Sequence, residues 1–297
     1  MAADDITHMG SHRFRRALGL MLRLAARLAM FTLLVLATMA ACLWWCRPRP
    51  RGPLEIFRGV VYECRSLPEG PESGGLVHLL RVDLKTRGMG LFVTPVDPEA
   101  KAAGWEYQTR WTPRVAREEG TSVLVNGVLF GARYGTRGPP GDWAASMETL
   151  VAEHEINHVW EHTYLMWFED DLTPHLEEAK PPPPRALERA RWAIGGQGIT
   201  YRNGAVATWA GHTRDRRTLL GLDAANSLLY IGVFDSASVT EASLVLAGFG
   251  ATQVMPIDGG TSTALCFGPG GHGVTAGTVV YPWRALPTHF GIRAPEW

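Results

Sequence analysis

The six residues from Asp258 to Thr263 combine a carboxylate, two glycines and three hydroxyl groups. An Asp-Gly step is common in tight hairpin turns. The same residues also suit a pocket for a charged ligand, because backbone N–H groups in a glycine turn can form an anion nest, and Thr261 and Ser262 add hydroxyl donors. Asp258 follows a short apolar run, so the motif lies at a strand exit, where open α/β sheets usually bind ligands. The motif predicts either a turn or a ligand-binding loop.

Two further groups of residues have suitable chemistry. Arg216 and Arg217 precede Thr218 at the start of an apolar strand, and arginine binds phosphate in a bidentate manner. Asn126 offers both a donor and an acceptor, and Gly127 interrupts the strand that contains it. A glycine inside a strand pattern indicates a bulge or a close approach of backbone or ligand.

A possible zinc motif lies near the middle of the chain. His154, Glu155 and His158 match H-E-x-x-H, which on a helix would place two zinc ligands on one face and a general base beside them. The surrounding residues are aromatic and β-branched, and prolines follow, so a hairpin is favoured over a long helix. A zinc metalloprotease, or a looser metal site that includes His162, remains the alternative. No metal or other cofactor is predicted.

The composition indicates a globular protein. The 297 residues are 46% hydrophobic and 20% charged, which is unlike a disordered chain. Lys plus Arg and Asp plus Glu number 29 each, so no overall field favours nucleic acid. Any anionic ligand must be bound by a local arrangement.

The N-terminus has the pattern of a membrane anchor. Residues 28–46 carry no formal charge and can span a bilayer as a helix. Five arginines precede this segment and three follow it, which favours a basic cytoplasmic N-terminus, 1–27. A signal anchor is predicted, with a lipoprotein signal at Cys42 or a cleaved signal as alternatives. Each of them places residues 52–297 on the extracytoplasmic side, and a linker, 47–59, is predicted before the domain.

The exported part contains two cysteines, Cys64 and Cys266. An oxidising compartment permits a disulfide. Two buried free thiols are the alternative, and the sequence leaves both open.

The rest of the chain predicts an α+β (mixed α/β) domain, 60–297, with a largely β-sheet core and a few helices. Ser238 and Glu241 form a capping box for a helix that ends near Gly248 or Gly250. Residues 131–190 read as an insertion-like lobe with two or three strands. The other predicted strands are His78–Leu84, Gly90–Pro95, Ser122–Phe130, Thr218–Asp223 and Ser227–Asp235.

Taken together, these motifs resemble the phosphodiester glycosidase family over about residues 60–293, least within the 131–190 lobe. Thr261 stands where the family has a third glycine. A reshaped loop or a different substrate is therefore expected, because threonine does not easily adopt positive φ. The matching segments are an N-G-x-F-F-like element at Asn126–Phe130, R-T at Arg217–Thr218 with Gly221 after it, a D-G-G-G-S-like element at Asp258–Ser262, and shorter matches at Leu80–Leu84 and Val93–Pro95.

The resemblance implies a membrane-anchored hydrolase that cleaves a sugar-1-phosphodiester in a cell-envelope or extracellular glycan. Asp258 would act at the anomeric carbon, with Asp235 as a candidate second carboxylate. Arg217 would bind the phosphate, and Asn126 would position a sugar hydroxyl or the water. A non-catalytic envelope protein that binds a phosphosugar is the alternative. The other implied substrate-binding residues are Thr218, Gly127, Gly259, Gly260, Thr261 and Ser262.

Overall fold

The structure, a computed structural model, describes residues 5–45, 49–67, 75–135, 138–160, 163–179 and 184–297. The chain divides into two compact units, residues 1–48 and 49–297. His162 and most of the proline stretch lie outside the described residues.

The first unit is one helix, α1 (Asp5–Trp45). Within it, Met21–Ala41 is a 21-residue stretch that is long and apolar enough to cross a membrane. This stretch begins before the predicted span, 28–46, because it includes two arginines near its start. Cys46 lies outside the described residues.

The second unit is built from four sheets, and every strand pair among its described residues is antiparallel. Sheet A contains, in spatial order, β1 (Arg51–Phe57), β2 (Val60–Ser66), β3 (Leu76–Asp83), β17 (Leu228–Ala237), β16 (Asp215–Asp223), β18 (Gln253–Pro256), β14 (Tyr201–Arg202) and β15 (Ala205–Val206). Sheet B contains β20 (Gly277–Val280), β19 (Leu265–Phe267), β6 (Val123–Asn126), β21 (His289–Arg293) and β4 (Gly90–Val93).

Two smaller sheets and four short helices complete the domain. Sheet C contains β10 (Glu155–Ile156), β9 (Leu150–Ala152), β13 (Trp192–Gly196), β11 (Thr163–Phe168) and β12 (Pro174–Ala179). Sheet D contains β5 (Tyr107–Gln108), β8 (Trp143–Ser146) and β7 (Phe130–Ala132). The helices are α2 (Pro98–Ala102), α3 (Thr112–Glu118), α4 (Pro184–Arg189) and α5 (Val239–Phe249). The predicted α+β class with a largely β-sheet core is confirmed.

The main hydrophobic core lies between sheets A, B and C. Side chains in the middle of β16 alternate between the two faces of sheet A. Leu220 and Leu222 face this core, whereas Leu219 faces α5, where it packs in the same cluster as Leu246. The outer face of sheet B packs on α3. Sheets A and B therefore enclose one apolar layer, and their loops meet at its edge.

The predicted caps of α5 are confirmed. The N–H of Glu241 donates to the Ser238 hydroxyl at 3.1 Å, and the Glu241 carboxylate accepts the Ser238 N–H at 2.8 Å. The helix ends at Gly250, with φ of 125°. A Cβ on Gly250 would lie 2.6 Å from the Tyr230 hydroxyl, so both its conformation and its packing require glycine.

Strand β1 occupies much of the segment 47–59 that the sequence analysis assigned to a linker, and that assignment is wrong. Leu54 and Ile56 belong to the main core, and Ile56 is fully buried. Pro53 lies within this strand, but proline is tolerated in an edge strand, where one N–H need not pair. The 131–190 segment is also richer than predicted. Among its described residues lie five whole strands, β8 to β12, where two or three were expected.

Cys64 and Cys266 are buried free thiols, so the disulfide alternative is wrong. Cys64 belongs to the main core, whereas Cys266 lies on the opposite face of sheet B, in the cluster that contains α3. Burial raises the pKa of both thiols, and that of Cys266 rises to about 11. The two side chains face different layers, which prevents their pairing.

Candidate active site

The chain after β18 leaves sheet A and reaches the loop that follows β6. Ile257 still pairs with β16, since its N–H donates to the Thr218 carbonyl at 3.1 Å. The next N–H, of Asp258, instead donates to the Gly127 carbonyl at 3.2 Å. A Cβ on Gly127 would lie 2.3 Å from the Thr288 hydroxyl oxygen. The interrupting glycine therefore marks a close approach of backbone, as predicted, and it places Asp258 where sheets A and B meet.

The Asn126 side chain joins the strands around this loop. Its amide nitrogen donates to the carbonyls of Asp258, at 2.6 Å, and Gly127, at 3.2 Å. Its amide oxygen accepts the Thr218 hydroxyl at 2.7 Å and the Ala264 N–H at 3.1 Å. Asn126 is 1% exposed, so these bonds form out of water. The structure thus gives Asn126 and Thr218 a positioning role beneath the loop.

The Asp258 carboxyl is buried and surrounded by donors. One oxygen accepts the Gly259 N–H at 2.8 Å, and the other lies 3.5 Å from an Arg284 nitrogen. Arg284 also donates twice to the Ser262 hydroxyl, at 3.0 and 2.5 Å. Burial raises the pKa of Asp258, and the opposing effects of Ser262, Gly259 and Arg284 are smaller. The site holds a carboxyl whose proton affinity is higher than usual, next to a fixed cation.

Arg284 is a site residue that the sequence analysis did not identify. Its guanidinium lies over the Phe130 ring, 4.4 Å from the ring centroid, and this cation–π contact helps to hold the guanidinium in place. Phe130 is the last residue of the N-G-x-F-F-like element. That motif therefore contacts Asp258 through Asn126 and Arg284 through Phe130. No pattern around Arg284 distinguishes it, because its role depends on the folding of its segment against the 258–262 loop.

The two neighbouring arginines of β16 lie where its pairing with β17 is irregular, and they make different contacts. The Arg217 guanidinium donates to the carbonyls of Ala237 and Thr213, at 3.4 and 3.0 Å. Arg216 instead reaches the far end of the loop, where it donates to the carbonyl of Thr263 at 3.0 Å. The Arg217 side chain still passes close to the loop, because an added Cβ on Gly259 would lie 3.7 Å from the Arg217 Cδ. The structure does not bring the Arg217 guanidinium to the Asp258 carboxyl through any hydrogen bond or ion pair among the described residues.

Asp235 lies on β17 and interacts with Arg216. Burial raises the pKa of Asp235, and the Arg216 guanidinium and a hydrogen bond with the Leu76 backbone oppose the rise. Within the described part of the chain, Asp235 forms no direct hydrogen bond with Asp258. The two predicted catalytic carboxylates therefore belong to adjacent but separate clusters.

Gly260 carries the unusual backbone conformation of the loop. It has φ of 58°, and it begins a 3-10 turn, Gly260–Ser262. Thr261 is exposed and does not adopt positive φ. The replacement of the family's third glycine is thus accommodated, because positive φ is required one residue earlier. A Cβ on Gly259 would lie 2.9 Å from the Arg216 carbonyl oxygen. Glycine is therefore needed at this position because a side chain would not fit, and not because of its φ.

The H-E-x-x-H motif does not lie on a helix. Glu153 and His154 both have positive φ and form the tight turn between β9 and β10. His154 lies 3.1 Å from Asp170, and His158 packs against the Trp160 ring. The hairpin interpretation is confirmed, and the zincin geometry is wrong. Over the described ranges, no group of three His, Cys, Asp or Glu side chains is arranged to hold a metal ion.

Comparison with known proteins identifies the family. A sequence profile described as phosphodiester glycosidase matches residues 119–293, which is more than half of the chain. The chain therefore belongs to the phosphodiester glycosidase family. The matched segment contains Asn126, Asp258 and Arg284, which meet in the site described above. A search of curated proteins gave no significant match.

Three solved structures share the fold. The catalytic domain of zebrafish N-acetylglucosamine-1-phosphodiester alpha-N-acetylglucosaminidase, auto-inhibited by its pro-peptide, has a TM-score of 0.60 at 12% identity, covering 84% of this chain and 92% of that chain. A hypothetical protein from Synechocystis has a TM-score of 0.56 at 11% identity, covering 84% and 64%. A putative exported protein from Burkholderia pseudomallei has a TM-score of 0.54 at 11% identity, covering 74% of each.

Proposed function

We propose that the domain hydrolyses a sugar-1-phosphodiester at the site around Asp258. The observation that carries this proposal is the junction of a buried carboxyl, a guanidinium, a hydroxyl and a backbone N–H at the family's D-G-G motif. A phosphodiester supplies an anion for the cation and a glycosidic carbon for the carboxylate. Family membership supports this class of bond, and the choice of sugar is left open.

In this reaction the bond between the anomeric carbon and the phosphate ester oxygen breaks. The bonding electron pair leaves with the phosphate monoester, which is a stable anion and needs little protonation. Water supplies the new hydroxyl at the anomeric carbon and releases one proton. Positive charge develops on the sugar ring in the transition state, and a nearby carboxylate stabilises it.

Each group of the site has a role in this scheme. Asp258 acts at the anomeric carbon. Arg284 binds the departing phosphate, assisted by the Ser262 hydroxyl and backbone N–H groups of Gly259 and Gly260. Arg284 takes the role that the resemblance implied for Arg217, because its guanidinium contacts the Asp258 cluster. Asn126 holds the loop in position.

The test uses the full chain in detergent and a panel of sugar-1-phosphodiesters, with release of free sugar as the readout. We expect release by the wild type and none by Asp258→Asn, which keeps the shape of the side chain. Arg284→Met should raise KM and lower kcat, since it removes the cation near the leaving group. Asp235→Asn is measured beside them, because it changes the second predicted carboxylate, which belongs to the separate cluster.

Two outcomes would contradict the proposal. Saturable binding of a phosphosugar without release of sugar would assign the site to a non-catalytic envelope protein. Equal release by wild type and Asp258→Asn would remove Asp258 from the reaction.

Two further outcomes would define the mechanism. If Asp235→Asn abolishes release as Asp258→Asn does, both carboxylates act and the two clusters form one site. Accumulation of a covalent glycosyl-enzyme would further identify Asp258 as a nucleophile, and its absence would favour a base.

The chain is further proposed to be anchored in a membrane through α1, with the domain on the extracytoplasmic side. The apolar stretch Met21–Ala41 and the flanking arginines support this placement. The fold is also shared with a protein described as a putative exported protein. Intact-mass analysis of the membrane fraction tests it. An uncleaved chain that resists alkaline extraction is expected, whereas a chain shortened to Cys42 or beyond indicates a lipoprotein or a cleaved signal. The proposed partners are this membrane and an envelope glycan.

A further inference from the structure

Two segments of the chain supply the charged groups of the candidate site. The loop 258–263 carries Asp258 and Ser262, and the segment 281–284 ends with Arg284. Arg284 lies 3.5 Å from the Asp258 carboxyl and donates to the Ser262 hydroxyl. The distance between the carboxyl and the cation therefore depends on how firmly these two segments are joined.

Arg216, on β16, joins the two segments. Its Nη2 nitrogen donates to the carbonyls of Thr263 and Tyr281, at 3.0 and 2.8 Å, and one of these carbonyls belongs to each segment. Its guanidinium also lies 5.5 Å from the centroid of the Trp283 ring, within the range of a cation–π contact. A single side chain thus contacts residues directly beside Ser262 and Arg284.

The surroundings of the Arg216 guanidinium do not explain an arginine through stability alone. Burial lowers the pKa of Arg216, and the carboxylates of Asp235 and Asp215 oppose this effect. The Nη1 nitrogen is buried and has no hydrogen-bond partner among the described residues. An unpaired buried donor is unfavourable for folding. The two carbonyl bonds of Nη2 therefore account for an arginine at this position.

We infer that Arg216 is a positioning residue for the proposed reaction, because it holds the segment that carries Arg284 against the loop that carries Asp258. This inference rests on the proposed function. With the segments joined, the Arg284 guanidinium stays where negative charge gathers on the departing phosphate. A misplacement of about 1 Å at such a site can cost about 100-fold in rate. Arg216 acts through Arg284 and does not contact the reacting atoms.

The test is a double-mutant cycle in the full-length protein, with sugar release from the best substrate of the sugar-1-phosphodiester panel as the readout. Wild type is compared with Arg216→Met, Arg284→Met and the double variant. Methionine keeps an extended side chain at position 216 and removes its donors. Arg202→Met is the matched control, because Arg202 also donates to a backbone carbonyl, that of Leu176 at 3.0 Å, but it joins β14 to β12.

Arg216→Met should lower kcat/KM by about 10- to 100-fold, mainly through kcat. In the Arg284→Met background the same change should lower it by less than about 3-fold, because the group that Arg216 positions is already absent. Arg216→Lys should recover part of the loss, since an ammonium group has three donors for the two carbonyls. Arg202→Met should behave as wild type.

Hydrogen exchange measured by mass spectrometry tests the same contacts without a substrate. Arg216→Met should speed the exchange of amides in residues 258–264 and 281–286, including the Trp283 N–H, which donates to the Thr261 carbonyl at 2.8 Å. Arg202→Met should leave both segments unchanged. Thermal unfolding shows whether each variant is folded. If Arg216→Met does not fold, Arg216→Gln replaces it, because glutamine is too short to bond both carbonyls.

Three results would overturn the inference. Equal losses of kcat/KM on Arg216→Met in both backgrounds would mean that Arg216 acts independently of Arg284. Unchanged activity would remove Arg216 from the reaction, and unchanged exchange would show that it does not join the two segments. If the wild type hydrolyses no member of the panel, the proposed function fails, and the exchange experiment still decides whether Arg216 holds the segments together.

Discussion

Asn126 allows the junction between the two main sheets to be tested by mutation. Asn126→Ala removes an amide that makes four hydrogen bonds. Of the four groups that lose this partner, the Gly127 carbonyl still accepts the Asp258 N–H. The other three, namely the Thr218 hydroxyl, the Ala264 N–H and the Asp258 carbonyl, lose the bond that the amide gave them. Each buried polar group left unpaired costs about 1–3 kcal/mol. Some relaxation will recover part of this, so we expect a loss of about 3–5 kcal/mol in the free energy of unfolding.

Thr218→Val provides the matched second variant. It removes one donor and leaves the Asn126 oxygen bonded to Ala264, so it should cost about 1 kcal/mol. In the double variant the Thr218 hydroxyl is no longer available to be left unpaired. The double variant should therefore be about 1–2 kcal/mol more stable than the sum of the single effects predicts.

Urea unfolding of the four proteins in detergent, followed by tryptophan fluorescence, measures this double-mutant cycle. The slope of the unfolding free energy with urea should be the same for all four, so that the midpoints can be compared. Additive effects within about 0.3 kcal/mol would show that Asn126 and Thr218 do not interact. A cost below about 1 kcal/mol for Asn126→Ala would refute the role of this amide as the link between the sheets.

Three further predictions concern titration and the loop. Burial lowers the pKa of His78 to about 4 and that of His289 to about 3, so near pH 5 these side chains bind protons in the unfolded state but not in the folded state. Together they should lower the free energy of unfolding by about 2.7 kcal/mol for each unit that the pH falls near pH 5. His78→Gln should reduce the number of protons taken up on unfolding by about one. Burial raises the pKa of Glu148 from 4.5 to about 7, so the folded state loses stability as pH rises through that interval. Urea midpoints should show Glu148→Gln more stable than wild type by about 1–3 kcal/mol above pH 7 and equal to it below pH 4; a constant difference at all pH values would contradict this cause. Gly260→Ala should lower the free energy of unfolding by about 1–2 kcal/mol, because alanine resists the φ of 58°. In the same urea unfolding assay Thr261→Gly should lower it by less than about 1 kcal/mol, and equal losses would contradict the assignment of positive φ to Gly260.

Elements with local signals could be predicted from the sequence. Helix α5 has its capping box at Ser238 and its terminal glycine at Gly250, and these residues determine both ends through their own hydrogen bonds and φ angles. The strands β3, β16 and β17 are apolar runs bounded by turns, and their central residues were predicted correctly. By contrast, β1 contains a proline and several exposed residues, and its pairing with β2 depends on a partner that local sequence does not reveal.

Part of the candidate site could be predicted from the sequence. Asp258 and Asn126 belong to recognisable motifs, and the structure brings them together. The contacts of Arg216 and Arg217 could not be told apart from strand alternation, because the pairing of β16 with β17 is irregular between Asp215 and Arg217. Arg284 had no such signal, because its place depends on contacts with Ser262 and Phe130 across 22 and 154 positions of the chain.

The last strand of the chain has a consequence for when the domain can fold. Strand β21 lies in the interior of sheet B, between β6 and β4, although it follows every other described strand in the sequence. Three of the four bonds of Asn126 likewise span 92 to 138 positions, so the site depends on non-local contacts, which slow folding. Sheet B cannot close, and the candidate site cannot form, until β21 has emerged. With the proposed export, this order would keep the domain unfolded while it crosses the membrane, and the proposed activity would follow delivery.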